Sequence, residues 1–407
     1  MKCRHCKTEL SYLLIDLGAQ PPANSYLKQE DLDKGELNYP LKVYVCHQCF
    51  LVQTADFIQK ETFFNSDYAY FSSTSRGWLE HAQKYVQKMT KMFDLNENSF
   101  VIEVASNDGY LLKNFVDKNV PCLGVEPTES TAKVSKMLGI NTLVEFYGVE
   151  IAKMISAKYG TADLIACNNV YAHVPDINDF TEALQISLSD EGVVTIEFPH
   201  LLELVANCQF DTIYHEHYSY LSVQTVKNIF ASQNLRIFKV DELSTQGGSV
   251  RVYGCKSSAS HATCGSVNEV IKREKERGLF DLNAYRDFHE RSINIKLSLI
   301  DFLMTAKKDG KVVCGYGAAA KGNTFLNFAG IKPDLLPVVG DASASKIGKF
   351  LPGSRIPIVS PEAISKNQPD YVVILPWNIA DEVKAQFPEL AKQGSKFVTF
   401  VPEKREI

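Results

Sequence analysis

The sequence predicts an α/β fold in which a small metal-binding N-terminal region precedes two doubly wound units. Two Cys-x-x-Cys pairs near the N-terminus predict the first part. Short apolar runs that alternate with helical stretches from Ser99 onward predict a parallel sheet with helices on both faces. The same alternation begins again near Lys311, which predicts a second α/β unit.

Composition restricts the functional classes. The chain has 407 residues, of which 45% are hydrophobic and 22% charged, as in globular proteins of two or three domains. Its net charge is -5, and nucleic-acid-binding domains are normally basic, so we expect no nucleic-acid partner. No apolar run reaches the roughly 18 residues that a membrane helix needs, and the N-terminus lacks a signal-peptide pattern. We therefore expect a cytoplasmic protein with no membrane partner.

The paired cysteines predict a structural metal site. The four residues are Cys3, Cys6, Cys46 and Cys49. Two thiolates from each of two tight turns complete a tetrahedral zinc site. Because four protein ligands leave no open position, we expect one structural zinc rather than a catalytic metal. His5 and His47 lie within the two Cys-x-x-Cys turns, here called the cysteine knuckles, and are alternative ligands. A redox-active thiol pair is a further alternative.

The turn after the first strand of the central unit suits a nucleotide. Small residues there let backbone amides approach a ligand closely. Glu126, at the end of the second strand, follows Gly109 at close to the ~20-residue interval of nucleotide-binding βαβ units and can accept hydrogen bonds from both ribose hydroxyls. The turn resembles the first motif of class I S-adenosylmethionine methyltransferases, acid-x-G-x-G-x-G. Glu103 holds the acid position, Gly109 holds the third glycine, and Ala105 and Asn107 replace the other two.

Other strand ends of the central unit add candidates, because ligands bind at the carboxyl ends of the strands in such sheets. Asn168 and Asn169 follow the fourth strand, and His173 comes shortly after them. Phe146, after the third strand, is either an aromatic wall for an adenine ring or a core residue. The phenols and hydroxyls of Tyr68 to Ser75 suit either a helix cap or a loop over an active site.

The run from Tyr214 to Tyr220, YHEHYSY, concentrates titratable groups. Imidazoles titrate near neutral pH and phenols can hold a developing oxyanion, so the run suits proton transfer. We expect a strand here, with His215 and His217 on one face and Glu216 on the other. A polar strand end with satisfied hydrogen bonds is the alternative interpretation.

The C-terminal unit has a glycine-rich turn, GYGAAAKGNT, from Gly315 to Thr324. Such a turn before a helix can cradle a phosphate, and Lys321 adds a point charge for a diphosphate. An NAD site using Asp341 and a purely structural unit are the alternatives. A charged helix spanning about Ser266 to Lys307 is expected to link the two units.

The ordered set of motifs closely resembles the sugar-nucleotide C-methyltransferases that build branched deoxysugars, and the resemblance covers essentially the whole chain. It implies a zinc-binding N-terminal domain over residues 1–67 and a central class I methyltransferase Rossmann-like domain over residues 68–255 that binds S-adenosylmethionine. It also implies a C-terminal Rossmann-like domain over residues 256–407 that contributes to sugar-nucleotide binding. The substrate implied is a TDP-linked 4-keto-6-deoxysugar, methylated at the carbon beside the ketone, most often C3′.

That reaction needs a base, donors for an enolate oxygen and a methyl sulfonium held in line. We predict that His217 is the base and that Glu216 supports the local charge balance. By the resemblance, Tyr214, Tyr68 and His173 stabilise the enolate or carry protons, and Tyr214 or His173 could exchange roles with His217.

The resemblance also implies the binding residues. The cofactor-binding positions are Glu103, Ala105, Asn107, Gly109, Glu126, Phe146, Asn168 and Asn169. The substrate-binding positions are Tyr70, Ser72, Gly317, Lys321 and Asn323. Two other functions stay open at this point. One is a metal-dependent sugar-nucleotide-modifying enzyme that uses His215 and His217 as ligands, and the other is a non-catalytic module that binds zinc and a nucleotide.

Overall fold

The computed structural model describes residues 1–55 and 71–407 and confirms the α/β class. Tyr68 and Tyr70 lie outside the described residues. None of the helices in the described ranges combines the length and hydropathy needed to cross a bilayer.

The N-terminal region forms an antiparallel sheet. Its strands are β1 (Tyr12–Gln20), β2 (Tyr39–Val45) and β3 (Val52–Thr54). Along β2 the side chains of Leu41, Val43 and Val45 are buried while those between them are half-exposed, the period of two expected of a strand with one covered face. One cysteine knuckle precedes β1, and the other occupies the turn between β2 and β3.

The central unit alternates strands and helices. In chain order its elements are α1 (Arg76–Met92), β4 (Val101–Val104), α2 (Lys113–Val116), β5 (Cys122–Val125), α3 (Glu129–Met137), β6 (Thr142–Leu143), α4 (Val149–Tyr159), β7 (Ala162–Asn168), α5 (Ile177–Ser187), β8 (Leu188–Pro199), α6 (Leu201–Ala206), β9 (Ser219–Tyr220), α7 (Val223–Ser232), β10 (Leu235–Leu243) and β11 (Ser249–Lys256).

The central sheet runs in the order β10-β11-β8-β7-β4-β5-β6. Strands β4 to β8 are parallel, and β11 lies antiparallel between β8 and β10. The strand order reverses beside β4, so a crevice opens between the carboxyl ends of β4 and β7, where open α/β sheets bind ligands. The short β9 instead pairs with β3 and extends the N-terminal sheet.

The C-terminal unit is Rossmann-like. Its elements are α8 (Gly265–Glu276), α9 (Phe288–Lys308), β12 (Val313–Tyr316), α10 (Ala320–Ala329), β13 (Val339–Gly340), β14 (Ile358–Val359), α11 (Pro361–Asn367), β15 (Tyr371–Ile374), α12 (Ala380–Ala385), α13 (Pro388–Lys392), β16 (Lys396–Thr399) and β17 (Arg405–Glu406). The sheet order is β14-β13-β12-β15-β16-β17, parallel except for β17.

The single charged helix expected from about Ser266 to Lys307 is wrong, because α8 and α9 are separate. Gly278 follows α8 with φ 80°, a left-handed conformation that ends a helix. The side chain of Asp281 then accepts a hydrogen bond from the backbone N–H of Asn283 and starts a short 3-10 turn. These local signals interrupt the helix although its charged pattern continues.

Hydrophobic contacts join the three parts. One buried cluster extends from β1 and β2 through α6 to the C-terminal sheet, with Leu14, Phe210 and Val398 among its members. A second cluster contains Cys3 and Cys46 together with the core of the central sheet. The cysteine knuckles therefore pack directly on the central unit.

Candidate active site

The four cysteines form a compact group of sulfurs. Within residues 1–55 and 71–407 they are the one group of three or more potential metal ligands whose atoms converge, and they lie within 4.8 Å of one another. The Sγ–Sγ distances are 3.6 Å for Cys3 and Cys49 and 3.5 Å for Cys6 and Cys46. Tetrahedral zinc with Zn–S bonds of ~2.3 Å separates sulfurs by ~3.8 Å, so the group fits zinc.

The neighbouring histidines have other environments. The His5 ring lies 2.9 Å from Asn178 Oδ1, and His47 is exposed. Gln53 Nε2 donates to Cys3 Sγ at 3.2 Å, the kind of hydrogen bond that orients a metal ligand. Four thiolates with no vacant position correspond to a structural zinc site.

The turn after β4 has the left-handed backbone that the predicted motif requires. Ala105, Asn107 and Gly109 have φ values of 57°, 50° and 80°. A Cβ on Gly109 would lie 2.5 Å from Ile140 Cδ1, so this position excludes a side chain. The backbone thus keeps the shape of a glycine-rich turn, although Ala105 adopts a conformation that costs a non-glycine residue energy.

Glu126 anchors this turn to β5. Its carboxylate accepts hydrogen bonds of 2.9 Å from the backbone N–H groups of Asn107 and Thr128. Burial raises the pKa of Glu126, and these two hydrogen bonds oppose the shift. Glu103 is 1% exposed, and burial together with the charges of Glu126 and Asp108 raises the pKa of its carboxyl well above the usual range.

Within residues 1–55 and 71–407, the crevice contains buried acceptor atoms that lack donors. They are Glu103 Oε2, Asp108 Oδ1, Asn168 Oδ1 and Asn169 Oδ1. A buried acceptor without a donor is costly, so the group favours a ligand that brings N–H and O–H donors. The neighbouring carboxyls favour a positive charge. S-adenosylmethionine has both properties, in its ammonium group, ribose hydroxyls and sulfonium, so the residues present fit it.

Two further predicted residues lie at this end of the sheet. The Ser72 backbone N–H donates to Asn107 Oδ1 at 2.9 Å, which places Ser72 against the cofactor turn. Phe146 is half-buried in the loop between β6 and α4. Its neighbour Tyr147 is tied into the core, because its hydroxyl donates to Ser187 Oγ at 2.8 Å.

The run from Tyr214 to His217 is a turn, so the expected strand is wrong there. The His217 N–H donates to Tyr214 O at 2.9 Å and closes the turn, and only Ser219 and Tyr220 are in a strand. His215 and His217 therefore do not share a strand face. His215 Nε2 lies 3.2 Å from Tyr39 O, whereas His217 Nδ1 lies 2.9 Å from Thr212 O. This geometry gives no support to a metal site built on both imidazoles.

His217 lies among the predicted partners. Its ring centroid is 4.7 Å from that of His173 and 3.9 Å from that of Tyr214. Since the Thr212 carbonyl can only accept, Nδ1 of a neutral His217 carries the proton and Nε2 has the lone pair. Burial lowers the pKa of His217 well below its usual range, and the neighbouring His173 makes a smaller contribution in the same direction. Burial also lowers the pKa of His173 to about 4, so both rings are neutral at pH 7.

Glu216 faces the N-terminal loop rather than His217. Its Oε1 accepts a hydrogen bond of 2.8 Å from Asn24 Nδ2, and burial raises the pKa of its carboxyl to about 7. The nearby Tyr26 hydroxyl donates to Ala318 O at 2.7 Å. This loop therefore connects the turn to the glycine-rich segment of the C-terminal unit.

The C-terminal unit packs on the same turn through α10. Thr324 Oγ1 donates to Ile213 O at 2.9 Å. Lys321 Nζ donates to Asn378 Oδ1 at 2.7 Å, and its positive charge contributes to the lowered pKa of His217. Asn323 is 1% exposed, and neither polar atom of its side chain has a hydrogen-bond partner in the part of the chain that the structure describes. Gly317 has φ 93°, and a Cβ there would lie 2.2 Å from Pro376 Cδ, so packing requires a glycine.

Several contacts of this site could not be predicted from the residues. The Thr212 carbonyl, Asn24 and Thr54 all hydrogen bond to the Glu216–His217 segment. A backbone carbonyl has no residue preference, and Asn24 and Thr54 are distant from the turn in sequence. Only the proximity of Thr212 to the turn could have suggested its contact.

Comparisons with known proteins agree with this arrangement. Residues 3–64 match a family model for a zinc binding domain, residues 78–240 match a methyltransferase domain, and residues 244–402 match the C-methyltransferase C-terminal domain.

Solved methyltransferases resemble part of the chain with low TM-scores. Magnesium protoporphyrin IX methyltransferase from Synechocystis PCC 6803 with bound SAM is 11% identical, with a TM-score of 0.35 over 44% of this chain and 80% of that chain. A SAM-dependent methyltransferase from Anabaena variabilis is 14% identical, with a TM-score of 0.36 over 43% of this chain and 84% of that chain.

A curated relative matches the whole chain. C-methyltransferase NovU from Streptomyces niveus is 32% identical over 406 residues, which cover 100% of this chain and 96% of the relative. A match of this length includes the cysteine knuckles, the cofactor crevice and the C-terminal unit. The chain therefore belongs to the family of S-adenosylmethionine-dependent C-methyltransferases that includes NovU.

Proposed function

We propose that the protein methylates a TDP-linked 4-keto-6-deoxysugar at the carbon beside the ketone, C3′, in branched-sugar biosynthesis. The observation that carries this proposal is the 2.9 Å contact between His217 Nδ1 and the Thr212 carbonyl oxygen. Because Nδ1 is held by Thr212 O, a neutral imidazole directs its lone pair elsewhere. A carbon beside a ketone is acidified because its anion delocalises onto oxygen, and a neutral imidazole is a suitable base for it.

The proposed first step is proton transfer from this carbon to His217 Nε2. The C–H bonding electrons form the enolate, and the proton stays on the imidazole. Tyr214, His173 and Tyr68 are the proposed donors or proton carriers for the enolate oxygen. Burial lowers the pKa of His173 to about 4, so its ring is neutral at pH 7; its one N–H is engaged by the Glu216 backbone, which leaves the second ring nitrogen to accept a proton.

In the second step the enolate carbon would form the new carbon–carbon bond with the donor methyl, while the S–CH3 bond breaks and its electron pair stays on sulfur. S-adenosylmethionine, when bound, supplies an electrophilic methyl on its sulfonium. The proposed cofactor site consists of the turn after β4 and the buried acceptors around it. Glu126 is the proposed acceptor for the ribose hydroxyls. The acidic surroundings favour the positively charged cofactor over the neutral product that lacks the methyl.

The C-terminal unit is proposed to bind the nucleotide diphosphate. The first turn of α10 presents backbone N–H groups. Lys321 lies in the same turn, as does Asn323, whose side-chain amide has no partner among the described residues. Helix N-termini favour anions, and a lysine adds a point charge. Since α10 contacts the segment before the His217 turn through the Thr324–Ile213 hydrogen bond, a sugar bound through its diphosphate here can extend toward the base. The proposed domains span residues 1–67, 68–255 and 256–407.

The experiment is incubation of the full chain with S-adenosylmethionine and a panel of TDP-4-keto-6-deoxyhexoses, followed by mass spectrometry. We expect one added methyl on the sugar of at least one ketosugar and none on its 4-hydroxy counterpart, because only the ketone stabilises the anion. Equal methylation of the 4-hydroxy sugar, or no methylation of any ketosugar, would contradict the proposal. Metal analysis of the same sample should give one zinc per chain, whereas two would favour the metal-dependent alternative.

A further inference from the structure

The strand after the second cysteine knuckle is bonded directly to the turn that carries His217. In the β3–β9 pair, Val52 lies opposite Tyr220 and Gln53 opposite Ser219. The Thr54 N–H donates to Tyr218 O at 3.1 Å. The Thr54 hydroxyl donates to His217 O at 2.5 Å. Thr54 is 1% exposed, so water does not readily replace these bonds.

The first knuckle contacts the same segment through Arg4, which lies between Cys3 and Cys6. Arg4 Nη2 donates to Thr54 O at 3.0 Å, and Nη1 donates to Pro175 O at 3.0 Å. The guanidinium also lies 4.7 Å from the centroid of the Tyr218 ring. Both knuckles therefore converge on Thr54 and on the residue next to His217.

These contacts fix the backbone of His217 on its carbonyl side. On the other side the His217 N–H is bonded to Tyr214 O, and the ring is bonded to Thr212 O. Tyr214 and Thr212 belong to the same local segment as His217 and can move with it. The Thr54 hydroxyl bonds to His217 O from outside this segment, and it comes from the zinc-stabilised sheet. The N–H of the same peptide unit, that of Tyr218, donates to Ala172 O.

We propose that Thr54 is a positioning residue, whose hydrogen bond holds the His217 backbone in place against the zinc-binding sheet. Zinc would then support proton abstraction as well as folding of the N-terminal region. The proposal rests on the proposed function in taking His217 as the base. Proton transfer requires hydrogen-bond reach between base and carbon, so a small displacement of this backbone slows the reaction.

The test is Thr54→Val, which keeps the shape and the backbone N–H but removes the hydroxyl, with Thr54→Ser as the matched control. The rate measured is exchange of the substrate's α-proton with deuterium, using a TDP-4-keto-6-deoxyhexose that the wild type accepts. We expect Thr54→Val to slow this exchange and kcat by about 3- to 10-fold, the effect of one lost hydrogen bond. Thr54→Ser should restore most of the rate. Zinc content and the Kd for S-adenosylmethionine should stay at the wild-type values.

A Thr54→Val protein with full zinc and the wild-type exchange rate would overturn the proposal. So would Thr54→Ser being as slow as Thr54→Val. Arg4→Gln tests the same link from the first knuckle, and slower exchange with zinc retained is again expected, whereas a normal rate contradicts it.

His217→Asn separates this inference from the proposed function. If His217→Asn exchanges normally, the base assignment fails whatever Thr54 does; if it is inactive while Thr54→Val is normal, only the positioning role fails. NMR of the protein with labelled histidine rings tests the same proposal without substrate. We expect the His217 Nδ1–H signal to shift or broaden in Thr54→Val and not in Thr54→Ser, and an unchanged signal counts against the proposal.

Discussion

His217→Asn is the sharpest perturbation of the proposed base. In the structure His217 Nδ1 donates to Thr212 O at 2.9 Å. The Asn side-chain amide reaches about as far as Nδ1, so it can keep this hydrogen bond while the Nε2 lone pair is deleted. The substitution therefore removes the proposed base and retains the local anchor.

The expected loss follows from the role of a positioned general base, which contributes about 100- to 10,000-fold. This corresponds to about 3 to 5 kcal/mol of barrier. Nε2 is the one basic atom of the ring in this tautomer, so we expect the full loss in the rate of α-proton exchange with solvent deuterium. Binding of S-adenosylmethionine should be unchanged, because the cofactor crevice between β4 and β7 is lined by other residues.

His215→Asn is the matched control. His215 is two residues from His217, but its ring lies against Tyr39 O and not against His173. We expect nearly normal exchange in this variant. Normal exchange in His217→Asn would refute the base assignment, and equal losses in both variants would revive a site built on both imidazoles.

Three other substitutions test the surrounding site. Burial raises the pKa of Glu216 from 4.5 to about 7, so wild-type stability falls as the pH rises through this window, because the unfolded carboxyl ionises first. Glu216→Gln removes that loss, and its unfolding free energy relative to wild type should rise by about 3 kcal/mol between about pH 4 and pH 8 in urea denaturation; a constant difference would contradict this. Glu126→Gln should raise the Kd for S-adenosylmethionine by about 10- to 100-fold in calorimetry, the cost of a charged hydrogen bond, and unaltered affinity would remove Glu126 from the site. Cys46→Ser should lower bound zinc below one per chain and reduce the thermal midpoint, since metal binding contributes folding energy, and full zinc occupancy would exclude Cys46 as a ligand.

The sheets could be predicted because their strands are short, apolar and covered on both faces. Residues of β4 and β7 are almost all buried, which follows from helices packed on both sides of a parallel sheet. The cysteine group could be predicted for a similar reason. A structural zinc needs four ligands, and two Cys-x-x-Cys pairs supply them whatever the rest of the fold is.

The conformation of the His217 segment could not be predicted from its residues. Alternating side chains from Tyr214 to Tyr220 are typical of a strand, but the backbone closes a turn between Tyr214 and His217. Contacts from three distant parts of the chain, through Thr54, Ala172 and Thr324, fix this segment. Such tertiary contacts override local propensity, and no short pattern records them.

We propose that the new bond joins the methyl carbon to the sugar carbon beside the ketone. Its most direct test is NMR of the product made with S-adenosylmethionine that carries a ¹³C-labelled methyl. We expect the labelled carbon to be bonded to C3′ and to correlate with the C4′ ketone. A label on oxygen, or on a carbon that is not adjacent to the ketone, would contradict it.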